Sequence, residues 1–421
     1  MLDHITTAAK QASRQWAVLS SERKNHALHA MAEALWDFRA QILAANELDY
    51  QAARFASYTE AKLDRLFVND KRIQDMAEGL RQVATLKDPI GETMETIERP
   101  NGLKIVKVRV PMGVIAIIYE SRPNVTVDAA GLALKTGNAV ILRGGKEAIN
   151  TNIALTKILR GAILQCGITP DGLQIIENIT HESVDELLRA RGSIDLIIPR
   201  GGAGLIQHVV EHSLVPVIET GVGNCHVYVD EAADLAKAMD IIMNAKTQRP
   251  SVCNAIETVL VHDAVAKEFL PMMANQLIAK NVQLRVCERS LSLLKVADIK
   301  DMTQVQLANE FDYETEFLDL ILAVRVVRDL QEAMDHIARY GTLHSEAIVT
   351  ENEDTAHTFL MEVDAAAVYH NASTRFTDGF EFGFGAEIGI STQKLHARGP
   401  MGLRELTSYK YLVYGSGQVR S

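Results

Sequence analysis

Cys253 is the residue whose type and position most directly suggest covalent chemistry. It lies in the segment 249–254 (RPSVCN), a polar, proline-interrupted stretch between a predicted helix and a predicted strand. A thiol in such a loop becomes a nucleophile when a nearby positive charge lowers its pKa, and Lys246 and Arg249 are close in sequence. A lone cysteine is more often an unreactive small hydrophobic residue. Both interpretations stay open on these residues alone.

Two glycine pairs with basic neighbours follow predicted strands. Arg200, Gly201 and Gly202 come directly after the apolar run Leu196–Ile198, and the segment 143–146 (RGGK) follows another apolar run. Glycine lets backbone N–H groups approach an anion at a helix N-terminus. The standard G-x-G-x-x-G dinucleotide fingerprint is absent from the sequence. The two segments together favour an anionic cofactor, and a glycine-rich turn without a ligand is the alternative for each.

The stretch 371–379 (NASTRFTDG) contains too many small and polar residues to form part of a core. It predicts a loop that presents Arg375, whose planar guanidinium can bind a carboxylate through two parallel hydrogen bonds. A solvated loop without a ligand is the alternative.

The residues His208, Glu211 and His212 match the H-x-x-E-H of inverted zinc peptidases, in which two helical histidines bind zinc and the glutamate acts as a base. Three fixed positions arise easily by chance, and no spacing predicts a third ligand. We interpret these residues as polar positions on a helix and expect no metal. His336 and His344 are either structural hydrogen-bonding residues or substrate ligands, and periodicity does not decide between the two.

Two α/β repeats must position these residues. Short, continuous apolar runs alternate with helical patterns, which is typical of a parallel sheet covered on both faces. In the first repeat we predict strands at Val114–Ile118, Ala139–Leu142, Leu173–Ile176 and Leu196–Ile198, and helices at Ile149–Gln165 and Glu182–Ala190. In the second repeat, after about Cys225, we predict strands at Glu257–Val261, Gln283–Val286, Ala347–Thr350 and Ala366–Tyr369, and helices at Ala264–Lys280, Leu330–Arg339 and Asp354–Glu362.

Further elements lie outside both repeats. The segment 103–109 (LKIVKVR) alternates apolar and charged residues and predicts an exposed strand. Tyr409–Tyr414 predicts another strand that could pair with it in the same or a neighbouring subunit, which indicates a dimer or a larger assembly. Near the N-terminus, apolar residues between Leu28 and Ile42 recur with the period of a helix that buries one face.

Composition excludes several classes of protein. The 421 residues include 43 Lys and Arg against 54 Asp and Glu, a net charge of −11, which argues against sequence-independent binding to nucleic acid. No apolar run reaches the roughly 20 residues of a membrane span, and the polar N-terminus does not resemble a signal peptide. We therefore expect a cytoplasmic protein. The cysteines are too sparse for a disulfide framework, and Cys166, Cys225 and Cys287 are interpreted as structural.

Several longer segments resemble the γ-glutamyl phosphate reductase family of the aldehyde dehydrogenase superfamily. They are 119–126 (YESRPNVT), 198–204 (IPRGGAG), 244–250 (NAKTQRP), 327–348, 371–379 and 393–402 (QKLHARGPMG), and the resemblance covers essentially the whole chain. It implies an aldehyde dehydrogenase-like α/β fold with two doubly wound parallel-sheet domains plus a small β oligomerisation arm. The implied domains are an NADP-binding domain at 1–91 and 112–224, a catalytic domain at 225–407, and the arm at 92–111 and 408–421.

The resemblance also implies roles for single residues. Carried over by position, the catalytic cysteine falls on Cys253, and Glu316 matches the glutamate that holds the nicotinamide ribose. The oxyanion-hole asparagine of the superfamily has no direct match, because Glu120 stands near its register; Asn124 is the candidate donor if the loop takes a different path. Glu219 stands in place of the base used by acid-forming members, in an altered context. An acyl-phosphate reductase needs no such base, so Glu219 receives no catalytic role.

A nicotinamide cofactor is part of the same resemblance. Its pyrophosphate is expected near Arg200, Gly201 and Gly202, at a helix N-terminus. Arg143 corresponds to a basic residue near the adenosine ribose, and Lys146 stands where NAD-preferring relatives often carry an acid. A cation there would attract the additional phosphate of NADP, so we predict NADPH.

The implied reaction is the NADPH-dependent reduction of L-glutamyl 5-phosphate to L-glutamate 5-semialdehyde and phosphate through a cysteine thioester, the second step of proline biosynthesis from glutamate. Arg375, Ser373 and Thr374 are expected to bind the α-carboxylate of the substrate. We expect a homo-oligomer and name glutamate kinase as a candidate partner. The alternatives are an NAD(P)-dependent aldehyde dehydrogenase that forms a free acid and, more remotely, a zinc hydrolase.

Overall fold

The structure, a computed structural model, describes residues 2–420 and all of their side chains except that of Ala61. The helices are α1 Asp3–Trp16, α2 Ser21–Asp37, α3 Arg39–Phe55, α4 Glu60–Leu66, α5 Asp70–Thr85, α6 Asn124–Thr136, α7 Ile149–Gln165, α8 His181–Leu188, α9 Ala203–His212, α10 Leu235–Thr247, α11 Asp263–Ile278, α12 Glu288–Lys295, α13 Glu310–Glu314, α14 Leu330–Tyr340 and α15 Glu353–Glu362. The strands are β1 Thr93–Glu98, β2 Lys104–Pro111, β3 Val114–Tyr119, β4 Ala139–Arg143, β5 Leu173–Ile175, β6 Leu196–Arg200, β7 Cys225–Val229, β8 Ile256–His262, β9 Gln283–Val286, β10 Val305–Leu307, β11 Ile321–Val327, β12 Ser345–Val349, β13 Ala367–His370, β14 Ile390–Ser391, β15 Gly399–Pro400 and β16 Thr407–Tyr414.

The chain divides into two compact units. The first comprises the described parts of Met1–Thr220 and Pro400–Ser421 together with Gly383–Gly389, and the second comprises Gly221–Phe382 and Ile390–Gly399. The division at 220/221 lies close to the expected domain boundary at 224/225. The segments 383–389 and 400–407, which we expected in the catalytic domain, belong to the first unit. The assignment of a function to each unit stays a prediction.

The first unit contains a parallel sheet with the strand order β5-β4-β3-β6. Ile115 of β3 pairs with Val140 of β4 on one side and with Leu196 of β6 on the other. All six residues of β3 are buried, as expected for a strand with helices on both faces. The chain moves outward from β3 to β5 and then returns to β6 on the other side of β3. Ligands of open α/β sheets bind at such a reversal, beside the carboxyl ends of the strands.

A separate antiparallel sheet, with the order β1-β2-β16, also belongs to the first unit. In it Lys107 of β2 lies opposite Tyr411 of β16. The predicted pairing of the segment 103–109 with the C-terminal strand is therefore confirmed, and it occurs within one chain. The strand β1 was not predicted, because its residues are mostly exposed and polar and show no apolar period.

The second unit contains a parallel sheet with the order β10-β9-β11-β8-β7-β12-β13. Alternate residues of β7 enter different cores: Val227 and Val229 pack in a cluster with Phe269 of α11, whereas Tyr228 packs in a cluster with Phe359 of α15. Because successive side chains of a strand point to opposite faces, helices cover both faces of this sheet. The predicted doubly wound α/β architecture is confirmed.

The predicted strands and helices match the observed ones to within about two residues at each end. The predicted helical run from Leu28 to Ile42 is interrupted, since α2 ends at Asp37 and α3 begins at Arg39. Phe38 between them is 45% exposed and leaves the helical conformation. Among the described residues, no helix combines the length and the apolar character that crossing a membrane requires.

Candidate active site

Cys253 lies in the turn that leads from α10 into β8, and its side chain is half-buried. The N–H of Ala255 donates to the carbonyl of Val252 (3.1 Å) and closes the turn. The thiol is therefore presented at the amino end of a strand, after the C-terminus of a helix. Because a helix C-terminus carries partial negative charge, this position does not favour a thiolate by itself. A cation is needed beside it.

Residues 223–225 pack against the backbone carbonyl of Cys253. A Cβ atom at Gly223 would overlap the Cys253 carbonyl, so only glycine fits there. The N–H of Gly223 donates to Oε1 of Glu316 (2.8 Å). The thiol of Cys225 donates to the Cys253 carbonyl (Sγ–O 3.2 Å). Burial raises the pKa of the Cys225 thiol, which keeps it protonated and able to donate.

Arg375 is the candidate for this cation. Its Nε donates to Oε1 of Gln248 (3.0 Å), and its Nη1 donates to Oδ1 of Asn254, the residue after Cys253. Burial lowers the pKa of Arg375, the nearby Arg249 lowers it further, and the charges of Asp378 and then Cys253 oppose that shift. The guanidinium and the thiol therefore lie within electrostatic range of each other.

Lys246, which the sequence also places near the thiol, is engaged elsewhere. Its side chain is fully buried, and Nζ lies 2.6 Å from Oε2 of Glu257 and 3.0 Å from the carbonyl of Ile256. The other carboxylate oxygen of Glu257 accepts the N–H of Leu318 (3.2 Å). This pair joins the start of β8 to the loop that carries Glu316, and it is a structural contact.

Ser373 and Thr374 are buried beside Arg375. The Ser373 hydroxyl accepts the N–H of Arg375 (3.3 Å), and the Thr374 hydroxyl donates to the carbonyl of Asn254 (2.7 Å). These contacts position the loop. A direct contact of Ser373 or Thr374 with a substrate stays a prediction.

The two histidines left open by the sequence are both buried. His344 lies under the Cys253 loop, with Nδ1 2.8 Å from Oγ of Ser345 and 3.6 Å from Sγ of Cys225, and burial lowers its pKa to about 4. His336 packs edge-on against His226, and burial lowers its pKa to about 2. These neutral, enclosed imidazoles fit the structural interpretation.

In the first unit, Gly201 and Gly202 join the carboxyl end of β6 to α9. Both glycines and the first residues of α9 are exposed, so the first-turn N–H groups of the helix are accessible to an anion. A Cβ at Gly201 would come within 2.8 Å of the Glu120 carboxyl group, which therefore lies against this turn. The segment stands at the reversal of strand order between β3 and β6.

Arg143 and Lys146 follow the carboxyl end of the adjacent strand β4. The guanidinium of Arg143 donates to the carbonyls of Ile179 (2.8 Å) and Thr180 (3.2 Å), and its Nε is buried without a partner among the described residues. Burial lowers the pKa of Arg143. Lys146 is exposed. Of the two, Lys146 presents its charge to solvent.

Asn124 is the first residue of α6, and its Nδ2 donates to Oδ2 of Asp128 one turn later (3.0 Å). Burial raises the pKa of Asp128 to about 6, against the opposing effects of Asn124 and Arg200. Asn124 is exposed, and its role as an oxyanion donor stays a prediction.

The zinc-peptidase pattern lies on the exposed part of α9. Nε2 of His208 is 3.2 Å from Asp185, and Nδ1 of His212 is 2.8 Å from the carbonyl of His208. Within residues 2–420, no group of three or more His, Cys, Asp or Glu side chains could hold a metal ion. The arrangement resembles polar positions on a helix surface.

Two residues of the site are not indicated by the sequence patterns. The two glycines at 221 and 223 could have suggested a close approach of two backbone segments. The requirement for glycine at position 223, however, comes from the Cys253 carbonyl, which lies on a distant segment. Asn254 contacts a loop 121 residues away, and no local spacing predicts such a contact.

Known proteins share this fold and these segments. Residues 1–286 match the model of the aldehyde dehydrogenase family. The gamma-glutamyl phosphate reductase of Moorella thermoacetica is 59% identical over 98% of this chain and 97% of its own, and that of Caldanaerobacter subterraneus is 58% identical over 98% of each. The crystal structure of the gamma-glutamyl phosphate reductase of Thermotoga maritima is 49% identical and matches with a TM-score of 0.96 over 100% of both chains. The chain therefore belongs to the aldehyde dehydrogenase family and, within it, to the gamma-glutamyl phosphate reductases.

Proposed function

We propose that the protein reduces L-glutamyl 5-phosphate to L-glutamate 5-semialdehyde and phosphate with NADPH, through a thioester on Cys253, as the second step of proline biosynthesis from glutamate. It is an oxidoreductase of the aldehyde dehydrogenase family that acts on a small molecule and uses a nicotinamide cofactor. The observation that carries the proposal is a half-buried thiol within electrostatic range of Arg375, in a chain 59% identical to a protein named gamma-glutamyl phosphate reductase.

The first chemical step belongs to Cys253. Its thiolate attacks the acyl carbon, the carbon–sulfur bond forms, and the bond to the phosphate oxygen breaks, so that phosphate leaves. Backbone N–H groups near Cys253 and a side-chain amide, for which Asn124 is the candidate, stabilise the oxyanion. Each such donor is typically worth about 2.7–4 kcal/mol. The thioester then accepts a hydride, and the resulting thiohemiacetal expels the thiolate and releases the aldehyde.

The cofactor supplies that hydride when it is bound. The position beside the carboxyl ends of β3 and β6 suits its pyrophosphate, since the exposed turn at Gly201 and Gly202 offers N–H groups at a helix N-terminus. Arg200 lies at the end of the same strand. Lys146 is exposed beside the neighbouring strand and supports a preference for the extra phosphate of NADPH. Arg143 supports this side of the site by holding the loop at residues 179–180.

The second unit provides the groups that hold the substrate and the nicotinamide end. Arg375 binds the α-carboxylate, and Ser373 and Thr374 shape the loop around it. Glu316 binds the nicotinamide ribose. Its carboxylate already accepts the N–H of Gly223, which lies against the Cys253 carbonyl, and this contact supports a position near the reacting sulfur.

The reverse reaction tests the proposal most directly. We expect oxidation of L-glutamate 5-semialdehyde by NADP to require phosphate, because phosphate is the group that releases the acyl thioester. Without phosphate, a single turnover should leave the glutamyl group on Cys253, where mass spectrometry of the trapped peptide can locate it. Equal steady-state rates with and without phosphate would instead indicate an aldehyde dehydrogenase that forms a free acid.

Two further measurements complete the test. A coupled assay that generates L-glutamyl 5-phosphate should consume NADPH faster than NADH. Treatment with EDTA should leave the rate of phosphate-dependent L-glutamate 5-semialdehyde oxidation unchanged, whereas loss of activity would favour the zinc hydrolase. A cytoplasmic location, a homo-oligomer and transfer of the acyl phosphate from a docked glutamate kinase remain parts of the proposal.

A further inference from the structure

Asn254, next to Cys253, ties the nucleophile loop to the loop that carries Arg375. Only 4% of its surface is exposed. Its Nδ2 donates to the carbonyls of Thr377 (2.9 Å) and Arg375 (3.3 Å), and its Oδ1 accepts a hydrogen bond from Nη1 of Arg375. Its backbone carbonyl accepts the hydroxyl of Thr374 (2.7 Å). Every polar group of the side chain therefore contacts the other loop.

The far loop is itself fixed to the sheet. The Thr377 hydroxyl lies 2.7 Å from the hydroxyl of Ser345, the first residue of β12, and 2.7 Å from that of Tyr369 in β13. Thr377 and Ser345 are fully buried. Asn254 thus connects the residue after the nucleophile to a rigid support, and its Oδ1 has a defined position relative to the sheet.

This support determines where the Arg375 guanidinium points. The other side-chain hydrogen bond of Arg375 among the described residues is to Gln248, an exposed residue just after α10, and the charge of Asp378 also acts on the guanidinium. An arginine side chain has many rotamers, and one contact to an exposed residue orders it weakly. Neither contact uses Nη2. A carboxylate can therefore approach the guanidinium on an edge whose direction is set by Asn254.

We propose that Asn254 is a positioning residue, which holds the Arg375 guanidinium beside the Cys253 thiol and so sets the recognition of a carboxylate at this site. That the carboxylate is the α-carboxylate of L-glutamate 5-semialdehyde rests on the proposed function. The placement of a cation next to Cys253 does not, and the two parts have separate tests.

The first test measures the cation without any substrate. Iodoacetate is anionic and iodoacetamide is neutral, so the ratio of their alkylation rates at Cys253 reports a nearby positive charge. Asn254→Ala should lower this ratio by about 3- to 10-fold, because a displaced charge costs on the order of 1 kcal/mol of interaction. Mass spectrometry of the Cys253 peptide identifies the reacting thiol. An unchanged ratio would overturn the proposal.

The second test measures recognition. The aldehyde 4-aminobutanal is L-glutamate 5-semialdehyde without its carboxylate. The ratio of kcat/KM for the two aldehydes should fall by about 10- to 100-fold in Asn254→Ala, as expected for the loss of a hydrogen bond to a charged group. The value for 4-aminobutanal itself should change little. Adding Asn254→Ala to Arg375→Ala should have no further effect on the ratio, because the asparagine acts through the arginine.

Controls separate positioning from damage to the fold. Asn275 also bridges two backbone groups, of Asp298 and Lys300, in the second unit, and Asn275→Ala should leave both ratios unchanged. If Asn254→Ala fails to fold, Asn254→Ser carries the test, since its shorter hydroxyl does not reach Nη1 of Arg375 and should lower both ratios. Absence of semialdehyde oxidation in the wild type would reject the proposed function, and the alkylation ratio would still decide the role of Asn254.

Discussion

The two units place their candidate sites at opposite ends of their parallel strands. In the first unit the glycine segments follow the carboxyl ends of β4 and β6, whereas in the second unit Cys253 precedes β8 and its supports Cys225 and Ser345 begin β7 and β12. A strand's carboxyl end leads into a helix N-terminus, whose free N–H groups attract anions. A strand's amino end follows a helix C-terminus, whose partial negative charge does not attract anions. A reaction site at amino ends must therefore take its positive charge from a side chain, and Arg375 is the candidate for it.

The backbone is also packed less tightly in the glycine segments of the first unit than around Cys253 in the second. A Cβ atom at Gly204, in the first turn of α9, would meet nothing within 4 Å, whereas one at Gly223 would overlap the Cys253 carbonyl. The first region leaves its backbone open to a ligand. The second region encloses the backbone of Cys253, so small changes there should lower activity strongly if Cys253 is the nucleophile.

The largest effect should come from removing the proposed nucleophile, Cys253. Cys253→Ser should lower phosphate-dependent oxidation of L-glutamate 5-semialdehyde by about 10⁴-fold or more, because a hydroxyl is a much weaker nucleophile and no neighbouring base is assigned to activate it. Cys166→Ser, in the first unit, is the matched control and should retain activity. Normal turnover by the Cys253 variant would show that Cys253 is not the residue that carries the acyl group.

The glycines provide a direct test of the packing difference. Gly223→Ala should lower kcat by about 10²-fold, because the added methyl group displaces the Cys253 backbone by an appreciable fraction of an ångström. Gly204→Ala should fold normally and raise the unfolding free energy by about 0.5–1 kcal/mol, as expected for glycine replaced in a helix. Steady-state assays and thermal denaturation of both variants measure the contrast, and equal losses of kcat would contradict it.

The open region should depend on exposed charge and hence on salt. Lys146→Gln should lower the ratio of kcat/KM for NADPH over NADH by about 10-fold at low ionic strength, which corresponds to about 1.4 kcal/mol. The difference should shrink as salt is added, because exposed charges are screened. The same substitution at the exposed Lys157 of α7 is the control. A ratio that does not change in Lys146→Gln would remove this residue from cofactor selection.

Much of the fold follows from local patterns. The strand β3 is a continuous apolar run with all six residues buried, so the sequence alone identifies it as a central parallel strand. The strand β1 has mostly exposed residues and is stabilised by pairing with β2, which no period within its own residues reveals. The break at Phe38 is also invisible, because the surrounding residues keep the helical period on both sides.

The candidate site was predictable in part. Cys253 and Arg375 carry the chemistry in their residue types, and the resemblance to a family brought them together. Their geometry depends on contacts between segments far apart in sequence, such as Asn254 with Arg375 and Cys225 with the Cys253 carbonyl. Lys146 and Arg143 show the same limit: both are cations in one segment, yet one is exposed and the other donates to carbonyls at residues 179–180.

The smallest effect concerns the support under the nucleophile loop. His344 is fully buried, and burial lowers its pKa to about 4, below the value of about 6.5 in an unfolded chain. Between these values the unfolded chain binds a proton that the folded chain does not. By itself this residue should therefore lower the free energy of unfolding by about 1.3 kcal/mol between pH 7.5 and 5.5. The buried His336 acts in the same direction, whereas Asp128 and Glu257, whose pKa values burial raises to about 6 and about 7, act in the opposite direction.

His344→Gln should remove that contribution, so the change in its unfolding free energy between pH 7.5 and 5.5, measured in urea, should differ from the wild-type change by about 1.3 kcal/mol, in the direction of greater relative stability at pH 5.5. The exposed His357 of α15 is the matched control, and His357→Gln should leave the difference between the two pH values unchanged. If His344→Gln kept the full dependence, the imidazole would be accessible to protons in the folded chain. The tight packing around the Cys253 backbone would then not include His344. Only the Cys253 loop itself would differ in packing from the exposed glycine segments of the first unit.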